Sequence, residues 1–288
     1  MTIRDNKMKL KYFVPYALLA PAFILICMFK IYPMFSSLKS ALFSNDIFSL
    51  KEYKLLFTDP TFWNSLKVTI KLNVIMIPLQ VFISICLALI VNARVKGVGM
   101  FRSIYYLPVT ISMSTAVVMW KLMMNYNSGI MNSFLKLFGI ELQGFFIDEK
   151  QAIWCIVLLA TWKGCGYWMM YLLAGLKGID NSVYEAAKVD GAGYFSTLLK
   201  ITLPLLKRTL LFVIVANTSA NLVMFAPMKM VTDGGPNGST NVLMYEAYKS
   251  AFKYANHGRS AAITTVLILI VTIVVLAQFK LLNKNSEE

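Results

Sequence analysis

Six long apolar blocks run through this chain, at 12–29, 72–93, 103–120, 151–176, 209–228 and 261–279. A helix that crosses a bilayer needs about 20 mainly apolar residues, and each block meets or approaches that length. Soluble domains alternate or stripe their apolar residues; here they come in continuous runs. Only 15% of the 288 residues are charged, against about 25% in soluble domains. The blocks therefore predict an all-α polytopic membrane protein of six transmembrane helices. Pro15, Pro21, Pro78 and Pro108 lie inside blocks, which membrane helices tolerate when neighbours satisfy the freed backbone groups.

Charge placement predicts orientation. The net charge is +14, and most Lys and Arg residues flank the blocks, as expected of residues that set membrane orientation rather than bind nucleic acid. Flanks 1–11, 93–102, 177–208 and 280–288 hold 14 Lys/Arg in 62 residues, while 39–62, 121–150 and 229–259 hold 10 in 85. The denser set belongs in the cytoplasm, with both termini there. The first block is too long for a cleavable signal and reads as a retained helix. The four cysteines lie inside blocks, without metal or redox spacing.

The expected organisation is a cytoplasmic N-terminus at 1–11, one membrane domain at 12–282 and a tail at 283–288. Outside the membrane, 121–150 reads as a turn plus a surface helix, with Trp63 as an interfacial anchor at the end of 39–62. The run Asp233-Gly234-Gly235-Pro236-Asn237-Gly238 is a turn signal. Val242, Tyr245, Tyr248 and Phe252 then recur at helical spacing, which predicts an amphipathic helix against membrane or bundle.

The longest cytoplasmic loop, 177–208, is the most informative. Asp180, Asn181 or Ser182 can cap a helix start, and Ser182 with Glu185 has capping-box spacing. A short helix over 183–190 is expected to end at Gly191 and Gly193. A second helical stretch, 194–203, runs into Pro204. Ala186 and Ala187 leave a smooth surface and Glu185 a charge for a cationic partner; a solvated connector fits the same pattern.

The run Glu185-Ala186-Ala187, three residues, Gly191, nine residues, Ile201-x-Leu203-Pro204 is similar in residues and spacing to the signature loop of ABC importer permeases. The resemblance implies the type I importer permease fold and a coupling helix that fits a cleft on a cytoplasmic ATPase, through Glu185, Ala186, Ala187, Asp190 and Gly191. Val231–Pro236 with Thr240 and the following helix resembles the external segment of carbohydrate permeases of the maltose, glycerol-3-phosphate and multiple-sugar type. The likeness spans roughly residues 12–280. It implies a bacterial cell membrane, a second homologous permease subunit, two ATPase subunits carrying ATP and Mg, an extracellular solute-binding protein, and a sugar as cargo. No cofactor is expected on this chain. It lacks the Gly-Lys-Ser/Thr ending of a phosphate cradle, so ATP hydrolysis belongs to a separate chain. No catalytic or metal constellation is present, and the single histidine, His257, reads as a surface residue.

Polar side chains within spanning helices are costly and face the bundle interior; a lysine at a helix centre costs about 2.5–3.5 kcal/mol. Lys163 sits mid-block, sharing a face with Ala160, Gly164 and Tyr167; Asn217, Ala220, Asn221 and Met224 share a face in the next block. Alignment to maltose-type permeases puts the sugar contacts at these eight positions. Asn221 and Tyr167 keep the residue type, whereas Lys163, Asn217 and Met224 depart, which puts maltose itself in doubt. Asn217, Thr218, Ser219 and Asn221 also suit helix–helix adhesion. Lys163 suits an anionic group on a sialic acid, uronic acid or phosphorylated sugar, or else a carboxylate on the partner permease. Rival readings are an importer for a glycerol phosphodiester or peptide, an ion-driven transporter, and a scaffold. Ion-driven transporters usually carry intramembrane carboxylates, and the six blocks contain none.

Overall fold

The computed structural model describes residues 2–44, 47–92 and 97–284; Met1, 45–46, 93–96 and the tail residues 285–288 lie outside it. Arg94 and Lys96 of the expected cytoplasmic flank therefore fall outside the described residues.

Among the described residues, four helices are long and apolar enough to cross a membrane: Val14–Leu42, Pro60–Asn92, Glu149–Lys177 and His257–Leu281. In chain order the helices are α1 (Thr2–Ile26), α2 (Tyr32–Leu42), α3 (Lys51–Thr58), α4 (Pro60–Asn92), α5 (Val98–Thr110), α6 (Met113–Met123), α7 (Ile130–Leu137) and α8 (Glu149–Lys177). Then come α9 (Asn181–Val189), α10 (Tyr194–Thr197), α11 (Leu203–Leu205), α12 (Lys207–Leu222), α13 (Leu243–Phe252) and α14 (His257–Lys284). The π-helical turn Cys27–Ile31 joins α1 to α2, so the first apolar block continues as helix well beyond residue 29. Phe43–Ser44 pairs antiparallel with Ile47–Phe48.

The third block departs from a single straight span. It folds as α5 and α6, bent by 96° at the break. Ile111 is extended, and Ser112 restarts the helix by accepting a hydrogen bond from the Thr115 N–H. The fifth block also departs: α12 is 16 residues long and stops at Leu222, short of the usual spanning length of about 20. Trp63 sits in the first turn of α4, and its indole N–H donates to the Phe57 carbonyl at 2.8 Å.

Helix α8 is the centre of the bundle, with α4, α5 and α12 packed around it. Small residues allow the contacts, as in other membrane helix pairs. A Cβ built on Gly166 would stand 2.1 Å from the Tyr105 carbonyl oxygen of α5, and one on Gly175 would stand 2.6 Å from Thr209 Oγ1 of α12. On the α4 side, Ser84 Oγ donates to the Cys165 carbonyl at 3.0 Å. Helix α14 closes the other flank, and Gln278 Nε2 donates to Thr218 Oγ1 of α12 at 2.9 Å.

Outside this core, α13 forms as the Val242–Phe252 spacing predicts. It lies on the bundle through buried Leu243, Tyr245 and Ala247, leaving Phe252 exposed. Its Glu246 is 2% exposed and receives Asn241, Lys249 and Arg259, each at 2.7–2.8 Å. Arg259 also pairs with Asp59 at 2.6 Å, so one cluster ties the end of α3 to α13 and α14.

Candidate functional site: a polar cavity and a capped cytoplasmic helix

Two features drawn from the sequence take shape. The first is a cavity of about 520 Å³ between α4, α6, α8 and α12. Ala160, Lys163, Gly164 and Tyr167 line it from α8, and Asn217, Ala220, Asn221 and Met224 from α12 and the residues just after it. All eight aligned positions therefore share one space, although 50 or more residues separate the two sets. Helical spacing put each set on one face; packing of α8 against α12 brought the faces together.

Gln80, Met113, Trp168 and Ala216 complete the wall, and sequence reasoning missed them. Gln80 left a signal. Ser65, Thr69, Asn73, Gln80 and Ser84 are all buried polar residues of α4, and their spacing follows one helix face. Met113 and Ala216 carry no such mark in an apolar segment.

The amide groups of the cavity form a chain across two elements, α4 and α12. Asn221 Nδ2 donates to Gln80 Oε1 at 2.9 Å and to Asn217 Oδ1 at 2.8 Å. Asn217 Nδ2 is buried with no hydrogen-bond partner among the described residues. Beside the amides stands an aromatic group: Tyr167 packs edge-on to Trp168, with ring centroids 4.9 Å apart. Its hydroxyl meets that of Tyr171 at 3.0 Å.

Among the described residues, Lys163 is the single charged residue lining this cavity, and its ammonium is already engaged. Nζ donates to the carbonyls of Ile111 at 2.7 Å, Pro108 at 3.1 Å and Val109 at 3.5 Å. An ammonium has three N–H donors, so these three acceptors match its full capacity.

The second feature is the cytoplasmic loop. Asp180, one of three candidate caps, is the N-cap of α9, and its carboxylate accepts from the Ser182 N–H at 2.9 Å. Ser182 lies inside the helix, so the capping box with Glu185 does not form: the N-cap position that a box requires is already taken. Accepting that backbone hydrogen bond holds the Asp180 carboxyl below the ordinary aspartate range. Gly191 has φ +72°. Its N–H donates to the Lys188 carbonyl at 3.1 Å, and the Ala192 N–H reaches Ala187 at 2.9 Å. That pairing is a Schellman ending, which favours glycine. Gly193 is not a second left-handed residue; at φ −68° it opens α10 as its N-cap.

On α9, Glu185, Ala186 and Asp190 are exposed. Ala187 turns inward and is only 4% exposed, so the outward surface is narrower than an Ala186-Ala187 pair. Val189, 88% exposed, with exposed Tyr194 and Phe195, extends that surface in apolar form; these three were not singled out from sequence. Behind α9, Tyr184 accepts from Thr202 Oγ1 at 3.4 Å, joining the loop to the helical path that runs into α12.

Residues 10–286 match the family model described as binding-protein-dependent transport system inner membrane component. The chain belongs to this family. It is thus a membrane component of a transport system rather than an enzyme, and it resides in the inner membrane. Among relatives, the probable ABC transporter permease protein YesP of Bacillus subtilis is 34% identical over 92% of this chain and 89% of its own length. The sn-glycerol-3-phosphate transport system permease protein UgpA of Agrobacterium fabrum is 31% identical, covering 94% and 95%. The lactose transport system permease protein LacF of Rhizobium radiobacter is also 31% identical, covering 90% and 91%. In fold, the chain matches a chain of a bacterial ABC transporter involved in import of the acidic polysaccharide alginate. The TM-score is 0.89 at 21% identity, over 98% of this chain and 99% of that one.

Proposed function

We propose that the chain is the permease subunit of an ATP-driven carbohydrate importer, and that its solute crosses through the cavity between α4, α6, α8 and α12. The observation that carries this reading is the convergence of Tyr167, Asn217 and Asn221 with Gln80 on one space of about 520 Å³. Amides that donate and accept, beside a Tyr–Trp pair, suit a ring bearing hydroxyls. Relatives named for lactose and for trehalose/maltose transport support the same class of cargo. Six crossings would be made by the α1–α2 path, α4, the bent α5–α6 pair, α8, α12 with its flanking turns, and α14, with both termini in the cytoplasm.

In this scheme α9 is the coupling helix. Glu185, Ala186, Asp190 and the Gly191 ending face a cytoplasmic ATPase, and Ala187 anchors the helix from behind. ATP and Mg sit on that ATPase, a second homologous permease completes the pathway, and the external segment 229–259 faces the solute-binding protein. Because α9 follows α8 after a short turn and leads into α12 through α10 and α11, motion at the ATPase reaches the two helices that carry the cavity.

Uptake by the reconstituted complex in proteoliposomes tests the assignment. Neutral mono- and oligosaccharides, glycerol phosphate, a glycerol phosphodiester and a peptide would be compared in one panel. Carbohydrate uptake that requires ATP and the binding protein is expected, and saturable uptake of the peptide alone would overturn the reading.

A further inference from the structure

The α5–α6 bend poses a problem of backbone accounting. The last carbonyls of a helix have no partner within it, and in an apolar bundle water is not available to take them. Here three of the last four carbonyls of α5 find side-chain donors. Thr110 Oγ1 donates to the Leu107 carbonyl at 2.8 Å. Lys163 Nζ takes the next two, Pro108 and Val109, and adds Ile111 beyond the helix end. The chain then restarts at Ser112, whose hydroxyl accepts from Thr115 at 3.1 Å. Met113, the first residue of α6, is a wall of the cavity.

We propose that Lys163 is a positioning residue that staples the 96° elbow between α5 and α6, rather than a ligand for the charge of the cargo, so that the cavity recognises an uncharged carbohydrate through Gln80, Asn217 and Asn221. This rests on the cavity being the solute's route. Three observations converge on it. The ammonium sits on an α8 residue at the centre of the bundle, where an unpaired charge is costly. Its three donors meet two carbonyls left over at the end of α5 and a third, that of Ile111, in the extended link to α6. Among the described residues no other charged side chain lines the cavity, so with Lys163 engaged the wall offers amides, a phenol and an indole to the solute.

The test uses the complete transporter with Lys163→Met and Lys163→Arg. Methionine inserts into a bilayer more readily than lysine, so a loss in that variant does not come from failed insertion. Spin labels at Val118 of α6 and Leu158 of α8, both exposed, report the elbow directly. The methionine variant is expected to broaden the label–label distance distribution and to lower maximal uptake roughly tenfold, with the half-saturating solute concentration unchanged. Arginine keeps the charge and the donors, and is expected to narrow the distribution and recover uptake. Wild-type transporter is expected to carry a neutral sugar in preference to its phosphorylated or uronate form. An unchanged distance distribution in the methionine variant overturns the proposal. So does a preference for the anionic solute that disappears with Lys163→Met. If the distribution broadens as expected but no carbohydrate enters in any variant, the staple stands and the carbohydrate reading fails.

Discussion

At the scale of single residues, Asn221 is the keystone of the cavity, since its one amide nitrogen reaches both Gln80 and Asn217. Asn221→Ala removes both bonds and leaves two buried acceptors unpaired, each worth about 1–3 kcal/mol. Uptake is expected to fall at least in proportion to one such loss, roughly tenfold, while cargo binding to the isolated binding protein stays unchanged; proteoliposome uptake and calorimetry check the two halves. Gln80→Leu is expected to act in the same direction although it lies on a different helix. Gly166 is a residue of the opposite kind, needed for what it lacks. Its Cβ position is 2.1 Å from a backbone oxygen of α5, and backbone cannot step aside as a side chain can. Gly166→Ala is therefore expected to lower stability by about 1–3 kcal/mol, seen as a lower unfolding midpoint of the detergent-solubilised protein.

At the scale of elements, α9 depends on its two ends. Nine residues are too few to hold a helix by propensity alone, so the Asp180 cap and the Gly191 ending decide whether α9 is formed when a partner meets it. Asp180→Ala is expected to fray the start of α9, and Gly191→Ala to cost about 1–2 kcal/mol through its left-handed backbone. Both leave the bundle intact. The expected outcome is transport-coupled ATPase activity that falls while the permease still assembles, and unchanged coupling in Gly191→Ala would remove α9 from the proposed role.

The external cluster makes a different element-level prediction, through pH. Burial pushes the Glu246 carboxyl up, and hydrogen bonds from Lys249, Asn241 and Arg259 outweigh it, leaving it below its ordinary value of 4.5. Burial also raises Asp59, and Arg259 with Thr61 brings it below 3.8. Both groups are more acidic folded than unfolded, so their stabilisation is fully present above about pH 4.5 and fades as pH falls through the folded values. Glu246→Gln is expected to flatten that acid limb in a melting series run against pH. Arg259→Met removes one of the three partners of Glu246 together with the Asp59 pair, and is expected to cost about 1.5–3 kcal/mol at neutral pH.

For the whole molecule, the Val14–Leu42 helix is the part least explained by the chain's own packing. Its most apolar window contains no buried residue, with Tyr16, Leu18, Leu19 and Phe23 all exposed, so lipid or another subunit must cover it in the membrane. The proposed arrangement also fixes sidedness: the α9 loop and the Asp233–Gly238 turn lie on opposite faces of the bilayer. In a background without the four native cysteines, Ser182→Cys and Asn237→Cys are expected to react with an impermeant thiol reagent from opposite sides. Labelling of both from one side would contradict the six-crossing scheme.

The sequence by itself determined the solvent, the helical class and the family. Those follow from long apolar runs and from the Glu185–Pro204 spacing, both of which are local along the chain. It also marked the faces of α8 and α12 that line the cavity, because helical periodicity survives without tertiary information. The structure alone decided which faces meet, that Gln80 joins them from α4, and that Ala187 points inward while Val189 stays exposed. It supplied the hydrogen-bond partners of Lys163 as well. An intramembrane lysine predicts a partner without naming one, and an anionic solute was the natural expectation. The partner is a bend in the chain some 50 residues earlier, and a run of apolar residues around Pro108 gives no sign that the helix will break at Ile111 rather than pass straight through. Orphaned carbonyls exist only once the helix has ended, so their match with the ammonium belongs to the three-dimensional arrangement and not to the sequence pattern.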